Sequence, residues 1–150
     1  MKTIKEKSYA RITLSPDIIR KITNSPHSGY HEMGIIKHMI DLYDIIHLTQ
    51  SDQDSLTCSD PRIPTDDKNT CIKAIDIFRK KYNTSKPIHI HIEKNIPTEG
   101  GLAGGSSNAA TVLKLLYNYY NTPLSPNEIK SLGRQVGMDV PYFFLWRNRV

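Results

Sequence analysis

This 150-residue sequence contains little that would place the chain in a membrane or outside the cell. It has no run of 18 apolar residues, and its N-terminal segment lacks the hydrophobic core of a signal peptide. Its two cysteines, Cys58 and Cys71, are separated by twelve residues and do not form a CxxC motif. We therefore expect a cytoplasmic chain with no membrane partner and with two reduced thiols instead of a disulfide.

The sequence also lacks a concentrated block of charge. Its formal net charge is +5, but the basic residues are scattered, and Arg79–Lys81 is the single contiguous trio. That trio is expected to end a helix, where cations interact favourably with the helix dipole. We expect no nucleic-acid partner, and a mild positive charge suits a nucleoside triphosphate and a diphosphate substrate.

Internal repeats and low-complexity segments are absent, and the length fits one domain with its own core. Strands that precede interspersed helices, with one crossover, favour the α+β class over a doubly wound sheet. Periodicity and turn residues predict strands at 8–19, 32–49 (one or two strands) and 87–93, helices at 69–82, 107–120 and 126–136, and loops at 22–29 and 51–67. The last helix is expected to start with a capping box at Ser125–Glu128 and to stop at Gly137.

The most informative segment is the run from Ile96 to Ala110, which holds four glycines and two serines between a predicted strand and a predicted helix. Glycine lets a ligand approach the main chain closely, and the start of a helix presents N–H groups and the positive end of its dipole. This combination predicts a phosphate site. The run matches neither the P-loop pattern nor GxGxxG. A flexible linker is the alternative, but both flanking segments are strongly periodic.

The phosphate loop is expected to comprise eleven consecutive residues: Pro97, Thr98, Glu99, Gly100, Gly101, Leu102, Ala103, Gly104, Gly105, Ser106 and Ser107. Glu99 is expected to point to solvent, because a carboxylate suits a phosphate site poorly. Ser106, Ser107 and Asn108 can supply oxygen atoms to phosphate and to a Mg²⁺ shell, and Ser107 is the expected metal ligand. The alternative is that Ser106 or Ser107 caps the following helix.

Two further side chains are candidates for chemistry. Asp139 follows a predicted helix stop and precedes Val140-Pro141. Its carboxylate can take a proton from a substrate hydroxyl, or it can simply cap the backbone. Arg11 alternates with Ile12 and Leu14 on a predicted strand, so taken alone it is expected to be a surface arginine.

His89, His91 and Glu93 share one side of the strand predicted at 87–93. Two imidazoles and a carboxylate can bind Zn²⁺. The alternative is an ordinary polar strand face, because the isoleucines on the other side already supply the buried face. Spacing without a fourth ligand is weak evidence for a metal site.

Four segments resemble, in the same order, the motifs of the GHMP kinases, a family of small-molecule kinases. They are Ala10–Leu14, Gly29–Glu32, Ile96–Ala110 and Gly137–Phe144. The resemblance implies the ribosomal protein S5 domain 2-like fold, which agrees with the α+β prediction. It also implies ATP-dependent transfer of phosphate to an alcohol, with Mg²⁺, on a small molecule that carries a cytidine diphosphate group in isoprenoid precursor biosynthesis.

The resemblance further implies roles for individual residues. The loop 97–107 holds the triphosphate of ATP, and Asp139 is the catalytic base. Arg11 stands where the family has a lysine beside the transferred phosphate, and it would offset developing charge. Tyr30 and His31 would contact the cytidyl group, and Thr13 stands at a substrate-binding position where the family has asparagine.

Two hypotheses follow from the resemblance. In the first, residues 1–150 form the N-terminal, ATP-binding domain of a kinase whose C-terminal domain is absent from this sequence. In the second, the chain is a truncated or degenerate relative that binds a nucleotide or a partner without turnover. Arg11, Thr13 and the missing second domain favour the second hypothesis. Neither hypothesis specifies an oligomeric state.

Overall fold

The computed structural model describes residues 3–24, 26, 28–123 and 125–145. Their elements, in chain order, are β1 (Thr3–Lys21), β2 (His31–Gln50), β3 (Ser55–Cys58), α1 (Thr70–Tyr82), β4 (Ile88–Glu93), α2 (Gly104–Tyr120), α3 (Pro126–Val136) and a 3₁₀ helix (Val140–Phe144). The four strands form one sheet in the order β1-β2-β4-β3. Neighbours are antiparallel except β3 and β4, which are parallel. The α+β prediction is confirmed. No helix in these ranges is both long and apolar enough to cross a membrane.

β1 and β2 form a long hairpin that begins in the core and ends in solvent. Their register pairs Thr3 with Thr49 at the base and Lys21 with His31 at the far end, with three irregularities between. Alternation of β-branched side chains favours such strands, and the turn predicted at 22–29 joins them. The far half exposes a set of large apolar side chains: Leu14, Ile18, Ile19, Tyr30, Met33, Ile35 and Ile36. Both predicted strands therefore exist, and each is longer than predicted.

The core lies between β4 and the helices. Ile88, Ile90 and Ile92 alternate toward the helices and are almost completely buried, as the sequence predicts. α2 lies across the sheet and is buried on most of its circumference, while α1 packs beside it through Phe78 and Tyr117. Burial of each such side chain contributes about 1.5–3 kcal/mol, so this layer accounts for most of the domain's hydrophobic stabilisation.

β3 contradicts the prediction of a loop over 51–67. It is four residues long, and among them Leu56 alone is fully buried, so no alternation marks it in the sequence. It exists because it pairs with β4 at the edge of the sheet. Asp54, just before it, accepts hydrogen bonds from Arg79 (2.5 and 2.8 Å) and from the Ile88 amide (2.9 Å). Both cysteines are free.

The helix starts differ from two predictions. α2 begins at Gly104, three residues before the predicted start, after Ala103 in the left-handed conformation. No side chain caps it, so the alternative role of Ser106 or Ser107 as a helix cap is wrong. The loop's own turn, instead of a hydroxyl, starts this helix. α3 begins at Pro126 as predicted, but Ser125 makes no side-chain cap hydrogen bond, so the capping box is not closed.

The end of α3 positions the segment that carries Asp139. Gly137 ends the helix in an extended conformation (φ −175°), not in the left-handed one expected of a glycine stop. Four residues earlier, Gly133 lies directly against the 3₁₀ helix. A Cβ atom at Gly133 would lie 2.7 Å from Cε2 of Phe144 and 3.1 Å from Cγ1 of Val140. The missing side chain therefore lets the 3₁₀ helix, and Asp139 before it, approach α3.

Candidate active site

The glycine loop is a strained turn that ends at a helix N terminus. Glu99, Gly101 and Ala103 all have positive φ (61°, 67° and 56°), and two of the three are not glycine. Non-glycine residues adopt this conformation at a cost of about 1–2 kcal/mol each, and such strain is concentrated at functional sites. The first amides of α2 have no acceptor within the helix, so they are available to an anion. Glu99 is exposed, as predicted.

An open cavity of about 540 Å³ lies beside this loop. Its volume is typical of a small-molecule site. The loop residues from Pro97 to Gly105 line it, together with Asn108, segments of the preceding loop and helix α1, and the basic side chains Arg62, Lys68 and Lys94. The predicted loop therefore borders one cavity along most of its length. Arg62 and Lys94 are paired with Asp60 and Asp44, so Lys68 is the lining cation that offsets the lining carboxylate of Glu99.

The N termini of α1 and α2 meet at the cavity. The Thr70 hydroxyl donates to the Gly105 carbonyl at 2.9 Å, which ties the first turns of the two helices together. Asn69 caps α1 by accepting from the Cys71 amide at 2.8 Å and donates to the Pro64 carbonyl at 2.6 Å. Two helix dipoles therefore present their positive ends to the same space, which strengthens its attraction for phosphate.

A buried ion pair supports the loop from behind. Lys94 and Asp44 are 5% and 0% exposed, and Lys94 Nζ lies 2.8 Å from Asp44 Oδ2. Asp44 Oδ1 accepts from the amides of Asn95 (2.7 Å) and Ile96 (2.8 Å), while Lys94 also donates to the Ile96 carbonyl (2.5 Å). A Cβ atom on Gly104 would lie 3.2 Å from both Lys94 Nζ and Ile96 Cγ2. The pair thus holds residues 95 and 96 in place just before the loop. It also leaves little room for a side chain at Gly104, where α2 begins.

Asp139 lies between two cations on the other side of the loop. Arg11 contacts Oδ2 through its NH2 group, and Lys37 Nζ lies 2.6 Å from Oδ1. All three side chains are largely buried: Arg11 is 13% exposed, Lys37 18% and Asp139 28%. Burial alone would raise the pKa of Asp139, but hydrogen bonds from Lys37 and Arg11 outweigh it, so this pKa lies below its usual value. Asp139 is therefore a stable carboxylate, and the cluster carries a net charge of +1.

Arg11 joins this charge cluster to the glycine loop. Its NH1 group donates to the Gly101 carbonyl at 2.7 Å, and its backbone amide donates to the Leu102 carbonyl at 3.0 Å. Thr13 lies beside it, exposed, with Oγ1 3.4 Å from Arg11 NH1. The expectation of a surface arginine, drawn from Arg11 alone, is therefore wrong. Asp139 makes no cap bond to the 3₁₀ helix, so the backbone-capping alternative is not supported either.

Ser107, the predicted metal ligand, does not line the cavity. Its side chain is 1% exposed, and its hydroxyl oxygen accepts from the Ser8 hydroxyl at 2.8 Å. Ser106, one residue earlier, is half-buried and does not line the cavity either. The two serines are thus at the edge of the predicted phosphate site instead of at its centre.

Tyr30 and His31 lie at the far end of the hairpin. Tyr30 is 70% exposed, and His31 begins β2 opposite Lys21. Six positions of β2 separate His31 from Lys37, and an extended strand spans about 20 Å over that length. The structure therefore does not bring these two residues next to Asp139, whereas it brings Arg11 and Thr13 there.

The histidines of β4 hydrogen-bond within the sheet. His89 lies 2.8 Å from Ser55 Oγ, His91 lies 2.8 Å from Thr57 Oγ1, and Glu93 lies 2.6 Å from His47 Nε2. These contacts fit the polar-face interpretation. In the part of the chain that is described, no group of His, Cys, Asp or Glu side chains is arranged to hold a metal ion.

Sequence reasoning did not identify Lys37, Lys94 or Asp44. Lys37 becomes visible once β1 and β2 are paired, because it is the register partner of Thr13. Lys94 immediately precedes the loop, and Asp44 lies on a strand of otherwise apolar buried residues. A charged residue in such a position indicates a buried partner.

The fold and this site define an α+β domain with a glycine loop, a cavity at two helix N termini and a carboxylate held by two cations. Residues 69–146, about half of the chain, match the family model of the GHMP kinases N terminal domain. The chain belongs to this family, and the resemblance seen in its motifs is confirmed.

Individual relatives are similar over nearly the whole chain. A 4-diphosphocytidyl-2-C-methyl-D-erythritol kinase from Clostridium botulinum (strain Alaska E43 / Type E3) is 42% identical over 91% of this chain and 48% of its own length. One from Caldicellulosiruptor bescii is 40% identical over 93% of this chain and 48% of its own length. The crystal structure of 4-(cytidine 5'-diphospho)-2C-methyl-D-erythritol kinase superposes with a TM-score of 0.77 at 26% identity, covering 95% of this chain and 49% of that one. The chain thus spans about half the length of the curated relatives it matches.

Proposed function

We propose that residues 1–150 form the ATP-binding domain of a cytoplasmic kinase in isoprenoid precursor biosynthesis. Its acceptor would be the 2-hydroxyl of 4-diphosphocytidyl-2-C-methyl-D-erythritol, the compound named for relatives that are 40–42% identical. The observation that carries the proposal is the double contact of Arg11, which binds the Gly101 carbonyl and the Asp139 carboxylate. This contact holds a phosphate-binding loop and a candidate base in a fixed relation.

The cavity is the proposed site of ATP. The loop 97–105 would bind the triphosphate through main-chain amides, with Lys68 contributing positive charge along the cavity wall, since Lys94 and Arg62 are already paired with carboxylates. The remaining cavity volume suits the nucleoside, because a nucleotide-sized ligand occupies several hundred Å³. Phosphate transfer depends mainly on positioning and on charge stabilisation, which these residues supply.

In the transfer step, the acceptor oxygen forms a bond to the γ-phosphorus while the bond from that phosphorus to the β,γ-bridging oxygen breaks. ADP leaves with the electron pair of the broken bond, and the hydroxyl proton passes to the Asp139 carboxylate. Because the transition state is loose, a base with a lowered pKa suffices if it holds the hydroxyl in line. Arg11 would offset the negative charge between the loop and the acceptor.

Mg²⁺ is proposed as the metal that accompanies ATP and neutralises phosphate charge. Mg²⁺ keeps several waters and binds chiefly through substrate phosphates, so it requires few protein ligands. Ser107 remains the proposed protein ligand. Its hydroxyl oxygen accepts a hydrogen bond from Ser8, so binding of Mg²⁺ by Ser107 would require this hydroxyl to turn toward the loop. No step of the proposal relies on Ser107.

Tyr30, His31 and Thr13 are proposed to bind the acceptor. Thr13 lies within the charge cluster, next to Arg11. Tyr30 and His31 lie farther out, with a ring and an imidazole available to a cytosine base. The separation of about 20 Å between His31 and Lys37 along β2 means that an extended acceptor, or a bend of the hairpin, would be needed to bridge them.

A second candidate function is nucleotide binding without turnover. It is favoured by the same separation between His31 and the charge cluster. In that case the cavity would bind ATP, while the hydroxyl and the phosphate would not meet at Asp139.

Calorimetric titration with ATP and Mg²⁺, followed by a coupled assay of ADP release with the acceptor, tests the proposal. We expect the 150-residue chain to bind ATP weakly and to show slow acceptor-dependent ADP release at best. Asp139→Asn should retain binding and lose about 100-fold or more in turnover. Asp76→Asn, an exposed aspartate on α1, is the matched control and should behave like the parent. Binding without turnover in the parent supports the second candidate. Failure to bind ATP contradicts both.

A further inference from the structure

Lys37 is a feature of the site that none of the four motifs contains. It lies on β2 opposite Thr13, and three irregularities in the β1–β2 register set which side chains face the site. Its ammonium lies 2.6 Å from Asp139 Oδ1, while Arg11 occupies Oδ2. Each oxygen of the carboxylate therefore has its own cation. The neighbouring side chains Ile35 and Ile36 are aliphatic and exposed, whereas Lys37 makes an ion pair with the site.

The two cations are not equivalent. The Arg11 fork is already used on two acceptors, the Gly101 carbonyl and Asp139. Lys37 has a compact ammonium with three N–H donors, one of which points to Asp139. It is 18% exposed, and its Nζ lies 5.6 Å from the centre of the Tyr142 ring. The ring limits the directions available to the ammonium, so the lysine is held against the carboxylate.

We propose that Lys37 is a positioning residue for phosphate transfer, whose ammonium holds the Asp139 carboxylate ionised and aimed at the acceptor hydroxyl. This inference rests on the proposed function. Lys37 supplies an amine at the site, whereas position 11, at which the resembling motif has lysine, holds arginine. The amine comes from the neighbouring strand β2 instead of β1.

The charges around Asp139 define the expected pH effect. Arg11 faces it from β1 and Lys37 from β2, and Tyr142 of the 3₁₀ helix lies next to Lys37. Both cations lower the pKa of Asp139 against the opposing effect of burial. Removal of one close cation raises a carboxyl pKa by about one unit or more. A variant without Lys37 should therefore lose activity at a higher pH on the acid side than the parent.

The test compares Lys37→Met, Lys37→Arg and the control Lys5→Met, an exposed lysine on β1. Initial rates of ADP release from ATP, Mg²⁺ and 4-diphosphocytidyl-2-C-methyl-D-erythritol are measured from pH 2.5 to 9, because the pKa of Asp139 in the parent lies below the ordinary value of 3.8. For Lys37→Met we expect kcat to fall about 10- to 100-fold. Its acid limb should move up by about one pH unit, while KM for ATP stays within about twofold. Lys37→Arg keeps the charge and should keep the acid limb near its original position, and Lys5→Met should match the parent.

Each outcome separates this inference from the proposed function. If the parent transfers phosphate and Lys37→Met keeps its kcat and its acid limb, the inference fails and the proposed function stands. If the parent binds ATP but transfers no phosphate, the proposed function fails and the inference fails with it. Loss of kcat with an unmoved acid limb, in Lys37→Met and Lys37→Arg alike, would indicate a purely structural role and would also overturn the inference.

Discussion

Removal of the Lys94 side chain should destabilise the domain more than any surface change. Lys94 and Asp44 form an almost fully buried ion pair, 5% and 0% exposed. Breaking such a pair by removing one partner costs about 3–5 kcal/mol, because the other charge stays buried. Asp44 would keep two backbone amide donors, which places Lys94→Met near the lower end of that range. The Ile96 carbonyl would lose its 2.5 Å donor, which adds about 1 kcal/mol.

Urea unfolding followed by circular dichroism measures this cost. We expect Lys94→Met to lower the free energy of unfolding by about 3–4 kcal/mol and the Tm by about 10 °C. The double variant Asp44→Asn/Lys94→Met should recover about 2 kcal/mol, because asparagine removes the charge but keeps an oxygen for the two amides. Lys81→Met, on the exposed end of α1, should stay within about 0.5 kcal/mol.

Two results would refute the reasoning. A cost below about 1 kcal/mol for Lys94→Met would mean that water reaches Asp44 and that the pair is not buried in solution. A double variant no more stable than the single one would mean that the loss arises from the lysine stem's packing and not from an uncompensated charge.

Three other substitutions test the loop, the α3 contact and an ion pair. Gly104→Ala would place a Cβ 3.2 Å from Lys94 Nζ, so we expect about tenfold weaker ATP binding by calorimetry, whereas Gly34→Ala on β2, outside the loop and with its nearest contact at 3.5 Å, should stay within about twofold. Gly133→Ala gains about 1 kcal/mol of helix propensity but overpacks the 3₁₀ helix by about 1–3 kcal/mol, so urea unfolding should show a net loss of stability. The Arg79 hydrogen bonds lower the pKa of Asp54, so they stabilise the fold above the ordinary aspartate pKa and stop doing so as pH falls through the lowered one. Asp54→Asn should therefore unfold about 0.5–1 kcal/mol more easily at pH 6, with the difference vanishing toward pH 2.

The elements with a regular apolar period could be predicted from the sequence. Helix α1, predicted at 69–82, lies at Thr70–Tyr82, and β4, predicted at 87–93, lies at Ile88–Glu93. Each element buries one face, so its apolar residues recur along the sequence with the period of a helix or of a strand. β3 could not be found in this way, because four residues with one buried side chain have no measurable period. It is stabilised by pairing with β4, which is distant in the sequence.

The candidate site divides in the same manner. The glycine loop could be located because its chemistry is local, a turn followed by a helix. The start of α2 could not, because Gly104 and Gly105 are weak helix formers and the helix begins there through the left-handed Ala103. Lys37 was missed because its place depends on the hairpin register, and the irregularities in that register decide which residue faces Asp139.

The substitution of lysine by arginine at position 11 has a structural consequence that bears on both hypotheses. A lysine is a point charge, whereas the planar guanidinium of Arg11 binds the Gly101 carbonyl and Asp139 at once. The loop and the carboxylate are thereby joined, so a displacement of one is transmitted to the other. With Lys37 on the second carboxylate oxygen, the cluster is a net cation that contacts the loop through Arg11 and β2 through Lys37. A degenerate site would be expected to lose such matched contacts, because an unpaired buried charge is costly and a neutral replacement is not. The pairing of both cations with Asp139, next to an open cavity, is the arrangement that the hypothesis of a working site requires.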